Sequence, residues 1–187
     1  AVSVRTITAE EALADLARFD DIIDARSESE YAEDRVPGAV NWPSLNDAER
    51  VEVGTLYKQV GPFDAKKVGA ALVASNIARH IREHVQAKPR GWTPLVYCWR
   101  GGKRSGAMAH ILREVGWDAR ALEGGYKAYR RWVLELLEQP WPVRLLGGRT
   151  GSGKTDLLLA LQEEPRIGAA LRLAPAGIAR PAPARRR

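Results

Sequence analysis

The sequence has one cysteine and one methionine among 187 residues, and its last 23 residues carry no acid at all. A single thiol, Cys98, excludes an internal disulfide framework and any zinc or iron–sulfur site built from several cysteines. No run approaches the roughly 18 apolar residues of a membrane span. Ala1–Thr8 also lacks the basic-then-apolar start of a secretory leader. A soluble cytoplasmic protein without a membrane partner is the expectation. The acid-free tail matters for the charge. The chain is formally +6, from 29 Lys+Arg against 23 Asp+Glu, yet residues 1–164 hold 23 of each sign. The whole excess is Arg166, Arg172, Arg180, Arg185, Arg186 and Arg187. The basicity therefore describes the tail and gives no warrant for a nucleic-acid-binding body.

With 45% apolar residues, the chain can bury one domain of ordinary size plus a smaller piece. Short apolar runs alternate with helical patterns, which predicts an α/β fold with a mainly parallel sheet flanked by helices. Strands are expected at Asp21–Ala25, Pro94–Tyr97, Ala119–Leu122 and Val143–Leu146. A capping box at Thr8–Glu11 opens a helix through about Arg18. Further helices are expected at Ser27–Asp34, Asn46–Gln59, Asp64–Ala87, Arg104–Val115, Tyr126–Leu137 and Thr155–Gln162. Pro140-Trp141-Pro142 reads as a linker. The expected division is a first domain over 1–138, the start of a second over 139–164, and a tail over 165–187. The tail's 7 Ala, 6 Arg and 4 Pro cannot build a core and predict disorder.

Two loops carry chemistry. Cys98-Trp99-Arg100-Gly101-Gly102-Lys103-Arg104-Ser105 lies between a strand and a helix. Its glycines let backbone N–H groups turn inward, and the next helix presents its positive end to the same point. With Arg100, Lys103 and Arg104 nearby, this loop favours a thiolate and cradles an anion, so Cys98 is the expected nucleophile. A buried strand-end cysteine beside solvated cations is the bland alternative. Cys98 to Arg104 also spells Cys-x5-Arg, the pattern of cysteine phosphatases, although Tyr97 stands where those enzymes carry histidine. The second loop, Gly148-Arg149-Thr150-Gly151-Ser152-Gly153-Lys154-Thr155, is a complete G-x-x-x-x-G-K-[ST]. Its amides would hold phosphates, Lys154 would pair with them, and Thr155 could ligate Mg²⁺.

Weaker signals are set aside. His80-Ile81-Arg82-Glu83-His84 spells the H-x-x-E-H zinc pattern. No third ligand is apparent, and the segment reads as a solvated amphipathic helix, so no metal is assigned. Most of the six tryptophans read as core. Trp99, in the cysteine loop, is the one that could stack on a base.

Asp24-Ala25-Arg26, Glu30-Tyr31 and Val36-Pro37-Gly38-Ala39-Val40-Asn41 resemble the front half of a rhodanese domain. The cysteine loop and Glu123-Gly124-Gly125-Tyr126 resemble its back half. In that fold the cysteine carries a persulfide or related adduct, and the resemblance gives Asp24 and Arg26 a loop-supporting role. A rhodanese domain followed directly by a P-loop is similar to the tRNA 2-selenouridine synthases. Asn46–Arg50, Val53–Gln59, the Arg-Gly-Gly-x-Arg-Ser ending of the cysteine loop, and Glu123–Lys127 strengthen that likeness. The resemblance runs from about Arg5 to Glu163; the family continues through a whole P-loop domain, so a truncated or frameshifted gene is the expected origin. It implies a tRNA partner bearing wobble 2-thiouridine, with selenophosphate and geranyl diphosphate as co-substrates and no tightly bound cofactor. Cys98 would be the essential cysteine. Gly148–Thr155 would hold a diphosphate, that of a nucleotide or of the prenyl donor. A stand-alone rhodanese-type sulfurtransferase or sulfur carrier is the alternative.

Overall fold

The computed structural model describes residues 4–138, 140 and 147–163. The expected strand at Val143–Leu146 and the Arg-rich tail lie outside the described residues. The chain divides between Glu135 and Leu136 into two units.

In the first unit, five short strands form one all-parallel sheet: β1 (Arg5–Ile7), β2 (Asp21–Asp24), β3 (Ala39–Asn41), β4 (Pro94–Tyr97) and β5 (Arg120–Leu122). Their order is β1-β5-β4-β2-β3, so β4 is central. The helices are α1 (Ala9–Ala14), α2 (Glu28–Glu33), α3 (Asp47–Gln59), α4 (Pro62–His80), α5 (Lys103–Val115) and α6 (Gly125–Leu137). The two-residue side-chain alternation of the strands splits the core into two layers. Ile22, Leu95, Tyr97 and Leu122 pack with Leu13, Val36, Tyr126 and Tyr129 on one face. Ile23, Val96 and Ala121 pack with Ile77, Met108 and Leu112 on the other. All four residues of β4 are buried, as a strand covered on both faces requires. The expected parallel sheet flanked by helices is therefore the observed fold.

Three local expectations are corrected. β1 and β3 are not among the expected strands; each is three residues long, lies at a sheet edge, and carries too little apolar sequence to announce a strand. The first helix stops at Ala14, because Asp15 leaves the helical region (φ −148°, ψ 75°) and a 3₁₀ turn follows at Leu16–Arg18. The long helix begins at Pro62, whose fixed φ suits a first helical position, and changes to π geometry over Ile81–Val85. Among the described residues, no helix is long and apolar enough to cross a membrane.

In the second unit, Gly148–Gly153 form a loop that leads into α7 (Lys154–Glu163). Gly151 (φ +82°) and Gly153 (φ +76°) take left-handed backbone that only glycine adopts without strain.

Candidate active site

In a parallel sheet, ligands meet the crevice beyond the carboxyl ends of the strands. Central strand β4 ends there at Tyr97 and delivers Cys98, whose side chain is buried beside Ser105. The Ser105 hydroxyl donates to the Cys98 sulfur at 3.1 Å. The same hydroxyl lies 3.3 Å from the Gly102 carbonyl, the opening turn of α5. The N-cap of α5 is Gly102, which offers no side-chain acceptor. The first amides of α5 therefore keep their donors, and the helix dipole adds positive potential there.

The loop is held from beneath by the turn before α6. Tyr126 N–H donates to the Cys98 carbonyl (2.8 Å), and Lys127 N–H donates to the Trp99 carbonyl (3.1 Å). Two glycines make this approach possible. A Cβ on Gly101 (φ +65°) would stand 2.5 Å from the Leu122 carbonyl oxygen; one on Gly125 (φ +58°) would stand 2.1 Å from that of Cys98. Both neighbours are backbone and cannot rotate away. The Gly-Gly of the cysteine loop and the Gly-Gly before Tyr126 are thus two halves of one support.

Asp24 and Arg26 lie below that support, both essentially without solvent exposure. The guanidinium grips the carboxylate through Nε (3.0 Å to Oδ1) and Nη2 (2.6 Å to Oδ2), and reaches the Asp34 carbonyl at 2.6 Å. Tyr97 donates to Asp24 (2.7 Å) and accepts from the Val36 amide (3.1 Å). Burial first, then the Asp24 charge, drives the Tyr97 phenol far above its ordinary pKa, so it stays a donor. Arg26 lies 4.0 Å over the Tyr126 ring, and Tyr126 donates to the Asp34 carboxylate. The network joins β2 and the segment before β3 to the residues on either side of Cys98. Among the described residues the hydrogen bond to the sulfur comes from Ser105, not from Asp24 or Arg26.

The cations differ in placement. Arg100 and Lys103 are exposed. Arg104 is half-buried and lies 3.5 Å from Glu30. Glu30 also binds Arg50 and caps α2 through Ser27. Burial would raise the Glu30 carboxyl, but the Ser27 amide and the Arg104 and Arg50 charges hold it below its usual range. Composition gave Glu30 no role; its signal is the Ser-x-x-Glu capping box at 27–30. Trp99 stacks on Tyr126 (5.5 Å between ring centres), so one of its surfaces is already occupied within the protein.

Lys103 and Arg104 also stand at the edge of an apolar cleft of about 480 Å³ between α3, α4 and α5. Val53, Tyr57, Val73, Ile77, Ala107 and Ile111 line it. Nothing in the sequence pattern marked this cleft, because its walls come from three separate helices.

Lys154 Nζ folds back onto the Gly148 (2.8 Å) and Arg149 (2.5 Å) carbonyls, and Thr155 is exposed at the first turn of α7. The amides of Gly151 to Lys154 precede or begin a helix, the arrangement a phosphate group requires.

The Ser105 contact can be tested directly. Ser105→Ala removes the donor to the sulfur, and alkylation of Cys98 by iodoacetamide at neutral pH should slow about tenfold or more, roughly the 1.5–3 kcal/mol of one hydrogen bond to a charged group. An unchanged alkylation rate would mean the hydroxyl does not stabilise the thiolate.

The rhodanese-like domain family matches residues 8–131. The tRNA 2-selenouridine synthase of Psychromonas ingrahamii is 42% identical over 142 residues, covering 75% of this chain and 39% of that protein. That of Sulfurovum sp. is 41% identical over 153 residues, covering 75% and 40%. The chain thus spans about two fifths of the length of these curated relatives. A crystal structure of an N-terminal domain from Clostridium difficile 630 is similar with TM-score 0.58 and 36% identity, covering 69% of this chain and 98% of that one.

Proposed function

The chain belongs to the rhodanese-like domain family, and from that premise we propose that it supplies the cysteine-loop portion of a tRNA 2-selenouridine synthase. The observation that carries this reading is the buried Cys98 sulfur, which receives the Ser105 hydroxyl inside a cationic, glycine-built cradle at the end of β4. The identity of about 40% to synthases spans that loop. The substrate is the wobble 2-thiouridine of a tRNA. Its sulfur attacks geranyl diphosphate, the new S–C bond forming as the C–O bond to diphosphate breaks. Selenium of selenophosphate then bonds the base carbon, geranylthiol leaves with a proton, and water takes the phosphoryl group as phosphate. No oxidant or reductant is required.

Each partner has a physical counterpart. Selenophosphate is a small tetrahedral anion, which suits the free amides of α5 with Arg100 and Lys103. The apolar cleft beside Lys103 and Arg104 suits a ten-carbon prenyl group near a negatively charged one. Gly148–Thr155, taken by itself, suits a diphosphate, that of a nucleotide or of a prenyl donor, with Thr155 able to ligate an accompanying Mg²⁺. The Cys-x5-Arg phosphatase pattern is the weaker reading, because Tyr97 stands where those enzymes carry histidine.

The test supplies the chain with tRNA bearing 2-thiouridine, geranyl diphosphate and selenophosphate, and analyses the nucleosides by mass spectrometry. The expected product is 2-selenouridine. Unchanged tRNA together with Cys98-dependent conversion of thiosulfate would favour the stand-alone sulfurtransferase, which the self-contained rhodanese match over 8–131 makes the second reading. Rapid phosphate-ester turnover without either would favour the phosphatase.

A further inference from the structure

The H-x-x-E-H segment closes α4, and the expectation that it is a solvated helix face is wrong for its first residue. His80 is 3% exposed. Its Nε2 lies 2.9 Å from the Pro43 carbonyl oxygen. A carbonyl only accepts, so Nε2 carries the proton and Nδ1 presents a bare lone pair. That Nδ1 is buried and has no hydrogen-bond partner among the described residues.

A buried lone pair without a donor calls for a ligand, and the neighbouring side chains suggest which kind. His80, Glu83 and His84 each offer a ligand atom, and these atoms lie within 4.8 Å of one another. The chain here leaves α-helical geometry for a π turn over Ile81–Val85; such turns are rare and concentrate at functional sites. The Pro43 carbonyl orients the His80 ring as second-layer acceptors do for metal-bound histidines. Trp42 backs both rings, at 6.0 Å from His80 and 5.1 Å from His84.

We propose that His80, Glu83 and His84 form a His₂Glu site for a divalent metal ion of the zinc type, with a fourth position left to water. Donors around tetrahedral Zn²⁺ stand roughly 3.4 Å apart, given bonds of about 2.0–2.2 Å. The existing cluster is wider, so closure falls to the partners that can move. His84 and Glu83 are exposed, and among the described residues Glu83 makes only loose ion pairs, at 3.5 Å to Arg79 and 3.7 Å to His84. The buried His80 stays in place. A bound ion would tie the end of α4 to the Trp42–Ser44 segment that follows β3.

The test uses the full chain with Cys98→Ser, so that the thiol cannot compete for metal, after removal of metal by chelation. Titration with Zn²⁺ by calorimetry should give one ion per chain. Co²⁺ should give a visible d–d spectrum of nitrogen and oxygen ligands and quench tryptophan emission through Trp42. Adding His84→Ala should weaken Zn²⁺ binding tenfold or more and abolish the rise in melting temperature that Zn²⁺ causes. Glu83→Gln should weaken binding less. Both changes are at exposed positions, so circular dichroism should show an unaltered fold. Zn²⁺ affinity unaffected by His84→Ala, or no stoichiometric binding in the Cys98→Ser chain, would overturn the site.

Discussion

Cys98→Ser should reduce transfer from any donor to background while leaving the fold intact. A serine hydroxyl is almost wholly protonated at neutral pH and is a poor nucleophile, whereas the thiolate is the reactive form of cysteine. The substitution is nearly isosteric, and Ser105 can donate to either atom, so the β4–α5 junction has no reason to move. Thiosulfate gives the simplest readout. The Cys98 thiolate attacks the outer sulfur, the S–S bond breaks, and sulfite leaves with the electron pair. Sulfite release should fall by on the order of a thousandfold or more, with an unchanged melting temperature to within a few degrees. Retained release would remove Cys98 from the chemistry.

Asp24→Asn should be the most damaging single change to stability. It leaves the Arg26 guanidinium buried at 1% side-chain exposure without its counter-charge. Breaking a buried pair from one side costs about 3–5 kcal/mol, against a total stability of about 5–15 kcal/mol for an ordinary domain. Urea unfolding should therefore show a large drop in midpoint. The damage extends to the site, because Tyr97 loses a charged acceptor next to Cys98 and Arg26 lies over Tyr126, whose amide holds the Cys98 carbonyl. The control is a double replacement, Asp24→Leu with Arg26→Met, which removes both charges and should recover part of the loss. If Asp24→Asn costs less than about 1 kcal/mol, the pair is not the buried anchor described here.

The sequence made the candidate centre legible because its signals are local. Glycine spacing marks the Cys98 loop, an apolar run marks β4, and Thr8 and Asn46 mark helix starts with their own side chains. The resemblance named Asp24 and Arg26 as loop support, but the contacts through which they act were hidden because they are non-local. Asp24, Tyr97 and Tyr126 lie far apart in the chain, and nothing in the residues around any one of them names the others. β1 and β3 were missed for a related reason: an edge strand of three residues is defined by the neighbour it pairs with, here β5 and β2. His80 shows the reverse error. Charged neighbours on its helix made it look solvated, while Trp42 and Pro43, almost forty residues earlier, bury it. The apolar cleft was equally invisible, since its lining residues come from α3, α4 and α5.

Intact-mass analysis of the chain after brief exposure to thiosulfate tests most directly whether Cys98 is the reacting group. The wild-type chain should gain the mass of one sulfur atom, lose it on treatment with cyanide as thiocyanate forms, and yield that modification on the peptide containing Cys98. A chain that gains nothing, or a Cys98→Ser chain that gains the same mass, would contradict the assignment of the β4–α5 loop as the active site.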